Sequence, residues 1–195
     1  MSSRPILARH SFGLTVSGAT LRTTDARTFL ANDTVTYDIV LIDAIAVANV
    51  PARLLTREAF GLISKRMGKH GVLAIAMESI GWNDPMVRSV SATLQQCFTE
   101  TFVLPIAEPP DRFGSIVLLA SNARHDDLIR DVPRNTNLDP FWRYSTEYEK
   151  THAWDNRFTL KPDQDRIQTD QRSTWEDHYR RISQEASKLD KNYRP

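Results

Sequence analysis

The stretch Tyr37-Asp38-Ile39-Val40-Leu41-Ile42-Asp43 decides the fold of this chain. At its centre Val40, Leu41 and Ile42 form an uninterrupted apolar run, of the kind found in strands of parallel sheets that are covered on both faces. The pattern predicts a strand over 35–43 that runs into an acid. Downstream, Leu54, Leu55, Ala59, Leu62 and Ile63 recur at helical spacing, so a helix is expected from Pro51 down to Met67, with Gly68 as its stop. Gly71 opens a second β-rich run through Met77. Asp84 followed by Pro85 has the form of an N-cap and a first helical residue, after which Val87, Val90, Leu94 and Phe98 fall on one face. Strands over 102–107 and 115–120 flank a loop containing Pro109, Pro110 and Gly114, which reads as an antiparallel hairpin at a sheet edge. Upstream, 6–12 reads as the end of a short helix and 19–24 as a strand leading into Asp25. Strands alternating with amphipathic stretches predict an α/β fold with a mostly parallel sheet.

Composition narrows the function classes. The chain has 195 residues, 41% of them hydrophobic, enough for one α/β domain with an appendage. A formal net charge of +1 offers no basic stripe, so nucleic acid is not an expected partner. The apolar runs at 39–50 and 72–77 are too short to span a bilayer and 1–20 lack a secretory core, so no membrane partner and a cytoplasmic address are expected. Cys97 is the sole cysteine, which rules out an intramolecular disulfide, and it is expected to be a buried helix residue. His10, His70, His125, His152 and His178 lack metal-site spacing; each reads as a surface or capping residue, and no metal is expected. No serine sits in a Gly-x-Ser-x-Gly elbow.

The chain changes character near Asn122. All seven glycines lie before residue 115, and charged residues become dense after Ser121. Residues 1–121 therefore read as the compact domain and 122–195 as a polar, helical C-terminal extension. Trp142, Trp154 and Trp175 punctuate that extension, and large aromatics that want burial are expected to dock it on the domain. The run from Asp177 to Lys188 reads as a solvated terminal helix.

Asp25-Ala26-Arg27-Thr28-Phe29-Leu30, followed by Tyr37-Asp38-Ile39-Val40-Leu41-Ile42-Asp43-Ala44, is the first of three segments that together resemble the spermidine synthase family, with its Rossmann-like, methyltransferase-type sheet. The second, Val50-Pro51-Ala52-Arg53-Leu54-Leu55-Thr56-Arg57-Glu58-Ala59-Phe60, is similar to the Pro-x-x-Leu-x-Thr-x-Glu-Phe helix start of that family, and Gly71-Val72-Leu73-Ala74 to its next strand. The third is a weaker echo, Ile167-Gln168-Thr169-Asp170-Gln171-Arg172-Ser173, similar to a Leu-Thr-Asp-Asp-x-x-Pro segment. The resemblance implies aminopropyl or methyl transfer to a small amine substrate from S-adenosylmethionine or its decarboxylated form as co-substrate. It implies that Asp25 and Ala26 meet the adenosine portion and that Asp43 is the catalytic acid beside the amine. Physics supports both positions, because ligands of open α/β sheets sit beyond the carboxyl ends of the strands, and a carboxylate there can accept from an amine. The bland alternatives are a helix N-cap for Asp25 and a loop cap for Asp43. Arg27 either meets a ligand carboxylate or pairs with Asp43 or Glu58.

Departures from the family matter equally. Polyamine synthases carry a second acid three residues after the first, whereas this chain has Ala46. The Gly-x-Gly cofactor loop and the strand before it are absent; Gly68 and Gly71 lie between a helix and a strand and read as a turn. The sheet is therefore expected to be truncated at its N-terminal side, leaving the Asp43 strand with an edge that something must satisfy. A homo-oligomer, a second chain completing the sheet, a tail segment, the 19–24 strand moved inward or sequence upstream of residue 1 would do so. Three readings stay open: a transferase using an adenosyl nucleoside, a catalytically inactive derivative serving as an interaction or assembly module, and an unrelated α/β protein whose strands mimic the family by composition.

Overall fold

The computed structural model describes residues 20, 22–43, 52–105, 113–124, 150–161 and 166–193. It divides into two compact units, Met1–Asp33 and Thr34–Pro195. In the first unit a short helix, α1 (Ala26–Asn32), is started by Asp25, whose carboxylate accepts from the Thr28 N–H at 3.0 Å and from its hydroxyl at 3.2 Å. The strand expected over 19–24 does not form among its described residues, which are irregular up to the cap. The helix end expected over 6–12 lies outside the described residues.

The second unit is built on a sheet of β1 (Tyr37–Asp43), β2 (Met67–Ile80), β3 (Glu100–Pro105) and β4 (Phe113–Ser121), in the order β1-β2-β4-β3. β1 runs parallel to β2, while β4 is antiparallel to both β2 and β3. The expectation of a mostly parallel sheet is thus corrected to a mixed one. β4 returns shortly after β3, a connection that permits only antiparallel pairing, and the two form a hairpin at one edge of the described sheet, as expected, with β3 outermost and β4 paired to β2. One strand therefore makes two antiparallel ladders, while β1, β2 and β3 keep a common direction.

Register assigns the faces, since opposed residues share one. Val40 and Ile42 align with Leu73 and Ile75, these with Ala120 and Leu118, and these in turn with Thr101 and Val103. The β2, β4 and β3 members of these rows, from Leu73 to Val103, are buried, as are Ala59, Phe60 and Ile63 of α2 (Arg57–Arg66) and Met86, Val87, Val90 and Leu94 of α3 (Pro85–Leu94). Together they are the core. The other face carries Ile39, Leu41, Val72, Ala74, Leu119 and Phe102, and it is incompletely covered. Ile39 is 73% and Leu41 65% exposed. Burial of the 40–42 run on both faces is therefore not realised, because among the described residues β2 is the only strand paired with β1.

Local chemistry moves several boundaries. After a turn of 3-10 helix (Ala52–Leu54), α2 begins at Arg57, because the Thr56 hydroxyl accepts from the Ala59 N–H at 3.3 Å and sets the N-cap there. The helix ends at Arg66 and β2 starts at once, so Gly68 lies within the strand rather than stopping the helix. Gly71 is needed for close approach: a β-carbon there would lie 3.0 Å from the Tyr37 carbonyl oxygen and 3.1 Å from that of Gly68, where the β1–β2 ladder is irregular. Gly81, at φ 81°, makes the turn out of β2. Asp84 and Pro85 then start α3 as expected.

The extension docks on the sheet unit. The Trp154 ring at the end of a π-helical turn (Lys150–Trp154) packs edge-on against Phe102 at 5.9 Å, and the Arg157 guanidinium lies 4.3 Å above the Trp154 ring. Phe158 bridges to Val103 through two backbone hydrogen bonds of 2.8 and 3.1 Å, extending the sheet beyond β3. Trp142 lies outside the described residues. The terminal helix α4 (Trp175–Tyr193) is not simply solvated: His178 is 3% and Ile182 2% exposed. No helix among the described residues is long and apolar enough to cross a membrane.

Candidate functional site

Asp43 is the last residue of β1, opposite Ala76 of β2 and exposed at the carboxyl end of the parallel pair. This is the end at which α/β sheets receive ligands. Glu78 stands two residues beyond Ala76 on the same face of β2, a diagonal neighbour of Asp43. Its Oε2 is buried and has no hydrogen-bond partner among the described residues. Burial raises the Glu78 carboxyl above its ordinary value, with His178 pulling it partly back. Sequence reading missed this second acid, because an isolated Glu in an apolar run carries no signal until strand register puts it beside Asp43. Ala46 lies outside the described residues.

Asp25 and Ala26 belong to the first unit, Asp43 to the second. Asp25 performs the bland role foreseen for it, since Oδ1 caps α1. A carboxylate offers about four acceptor sites, so capping leaves the residue chemically able to meet a further donor. Ala26 is the exposed first residue of the helix.

The densest polar cluster of the unit is one that the sequence did not single out. Asp84 has a fully buried side chain that serves four groups at once. Oδ1 accepts from the Met86 N–H at 2.7 Å and from Arg181 Nη2 at 3.1 Å, while Oδ2 accepts from the Ile80 N–H at 3.2 Å and from Arg181 Nη1 at 3.3 Å. His178 Nδ1 lies 3.5 Å from Oδ1. Burial alone would raise this carboxyl, but the His178 ring, the Met86 N–H and the Arg181 guanidinium outweigh it and hold it down at about 2. His178, expected at the surface, is buried because Asp84 supplies the polar partner that an interior imidazole requires. Cys97, expected to be buried, is only half-covered; it sits in the turn after α3, and its thiol approaches the Arg57 carbonyl at 3.5 Å. Burial raises that thiol's pKa.

Two segments of the family-like sequence meet in space. The Thr56 hydroxyl donates to Asp170 Oδ1 at 2.8 Å, the Asp170 N–H to Glu58 Oε2 at 3.1 Å, and the Arg57 N–H to the Gln168 carbonyl at 2.9 Å. On its other side the buried Gln168 is keyed into α3, its N–H donating to Thr93 Oγ1 at 2.8 Å and its side-chain amide to the Ser89 hydroxyl. The turn Thr169–Arg172 thus joins the starts of α2 and α4 across more than 100 residues of chain.

No protein-family model matches this sequence, and no curated protein matches it. Among solved structures, the fold is similar to that of a probable spermidine synthase from Corynebacterium glutamicum, with a TM-score of 0.51 and 24% identity. The match covers 60% of this chain and 44% of that one, so the chain spans less than half of that structure's length. What the likeness gives is the fold: an α/β unit of the spermidine synthase type, with a mixed four-stranded sheet.

Proposed function

We propose that this chain is a transferase domain of the spermidine synthase type, moving an aminopropyl or methyl group from an S-adenosylmethionine-type nucleoside to a small amine. The observation that carries the reading is Asp43 at the carboxyl end of a strand parallel to β2, within a synthase-like fold. In this reading Asp43 holds the acceptor ammonium and favours loss of its proton before attack, and Asp25 and Ala26 meet the adenosine. Calorimetric titration with S-adenosylmethionine, its decarboxylated form and methylthioadenosine tests it. At least one should bind; Asp25→Ala should abolish binding, and Asp43→Asn should spare binding but remove turnover. Silence with all three ligands at millimolar concentration would retire the proposal.

A second reading, an inactive derivative acting as an assembly module, is favoured by the exposed Ile39 and Leu41 on the outermost strand of the described sheet. There a second chain, or a copy of this one, would complete the sheet by adding a strand to β1. Sedimentation across a concentration series tests it, and a chain that stays monomeric alone and in cell extract would count against it.

A further inference from the structure

The two margins of the four-stranded sheet are finished differently. At β3 the outward backbone groups are taken: the Val103 N–H and carbonyl bond to Phe158 at 2.8 and 3.1 Å, and the Thr159 hydroxyl donates to the Thr101 carbonyl at 3.2 Å. β3 also closes on Pro105, which has no N–H to offer. At β1 nothing comparable is present. Beyond the ladder with β2, residues Asp38 to Asp43 make no hydrogen bond among the described residues. Natural edges are guarded by lysine, proline or a bulge. β1 has neither residue, and its irregularity with β2 falls between Tyr37 and Ile39, before the run Val40-Leu41-Ile42. Ile39 and Leu41, the two most exposed large hydrophobic residues among those described, stand together on one face of this bare edge.

The order of residues along β1 suits a second copy of itself. A twofold axis normal to a sheet pairs two edge strands antiparallel and sets opposed residues on the same face. With the axis at Val40, Ile39 falls opposite the partner's Leu41 and Leu41 opposite the partner's Ile39, so each exposed apolar side chain gains an apolar neighbour. Asp38 then faces Ile42 and Asp43 faces Tyr37, so no acid opposes an acid. An axis at Leu41 would instead set Ile39 against Asp43, and one at Asp38 would oppose two carboxylates. The docked segment around Phe158 is committed to the β3 margin and does not compete for β1.

We infer that two copies of this chain pair through β1, antiparallel and in register at Val40, joining two four-stranded sheets into one. This pairing rests on the assembly reading above, for which it names the partner. Sedimentation of the full chain should show a reversible dimer. Leu41→Lys, with an unchanged urea midpoint, should weaken it by about tenfold or more, because each ammonium would meet the partner's Ile39. Cysteine mapping on a Cys97→Ser background fixes the register. Opposed Cα atoms of antiparallel strands lie about 4.5–5.5 Å apart, within disulfide reach, so Val40→Cys should oxidise to a covalent dimer. Asp38→Cys and Ile42→Cys, each about 13 Å along the strand from its own mate, should not. A monomer at every concentration, a dimer indifferent to Leu41→Lys, or cross-linking no better at Val40 than at the two flanking positions would each overturn the pairing. Capture of a different chain at β1 from cell extract would overturn it while leaving the assembly reading standing, whereas no association of either kind would remove both.

Discussion

Replacing Asp84 by Asn tests whether the buried carboxylate organises the junction of β2, α3 and α4. The amide keeps one oxygen for the Met86 N–H, so most of the N-cap survives, but its NH2 group faces donors from Ile80 and Arg181. Truncating one partner of a fully buried ion pair costs about 3–5 kcal/mol. Arg181 is 39% exposed and can regain water, which lowers the expected loss to about 2–3 kcal/mol. The pH dependence gives an independent handle. The Asp84 carboxyl titrates at about 2 in the fold against 3.8 ordinarily, so its contribution is present above pH 3.8 and lost as pH falls through 2. That difference amounts to about 2 kcal/mol. Urea unfolding followed by tryptophan fluorescence at pH 7, 4 and 2 should therefore show the gap between parent and variant narrowing on acidification. A variant within about 0.5 kcal/mol of the parent at pH 7, or a gap unchanged at pH 2, would refute the reasoning.

Other substitutions probe different joints. Thr56→Ala should destabilise by about 1–2 kcal/mol through loss of the α2 cap, and Asp170→Ala by about 1 kcal/mol. Because the two side chains bond each other at 2.8 Å, the double variant should lose measurably less than the sum in urea titrations. Gly71→Ala should cost about 1–3 kcal/mol, since its methyl would press on two backbone oxygens; a neutral effect in thermal unfolding would contradict the β1–β2 register. Leu41→Lys should change the stability of the lone chain by under about 0.5 kcal/mol while weakening any association at the β1 edge in sedimentation runs. A loss above about 2 kcal/mol would mean that Leu41 is covered within its own chain.

The elements that the sequence announced clearly are those whose signals are local. Asp84-Pro85 marked the start of α3, and the apolar spacing of α2 and α3 marked their buried faces, because capping and helical periodicity act within a few residues. The edge hairpin of β3 and β4 was legible, but the antiparallel ladder of β4 on β2 was not, since it depends on pairing choices between distant strands. The start of α2 was misplaced because Pro51 is an attractive helix opener, yet Thr56 offers a side-chain cap that the Asp170 contact reinforces. Asp43 at a strand end was readable; its neighbour Glu78 and the His178–Asp84–Arg181 cluster were not, as each joins residues brought together only by register or by docking of the extension.

The docking of that extension bears on function. Gln168 and Asp170 tie the chain at 166–172 to both α2 and α3, and Arg181 ties α4 to the loop that leaves the carboxyl end of β2. Glu78 and Ser79 lie just before that loop, and Asp43 is one strand away. A perturbation of α4 therefore acts on the end of the sheet where α/β folds receive ligands, without touching Asp43 itself. If the transferase reading holds, Arg181→Met should alter turnover through misplacement of the β2 end while leaving nucleoside affinity near that of the parent. An equal loss of both would indicate general destabilisation instead, and the urea midpoint of the same variant distinguishes the two.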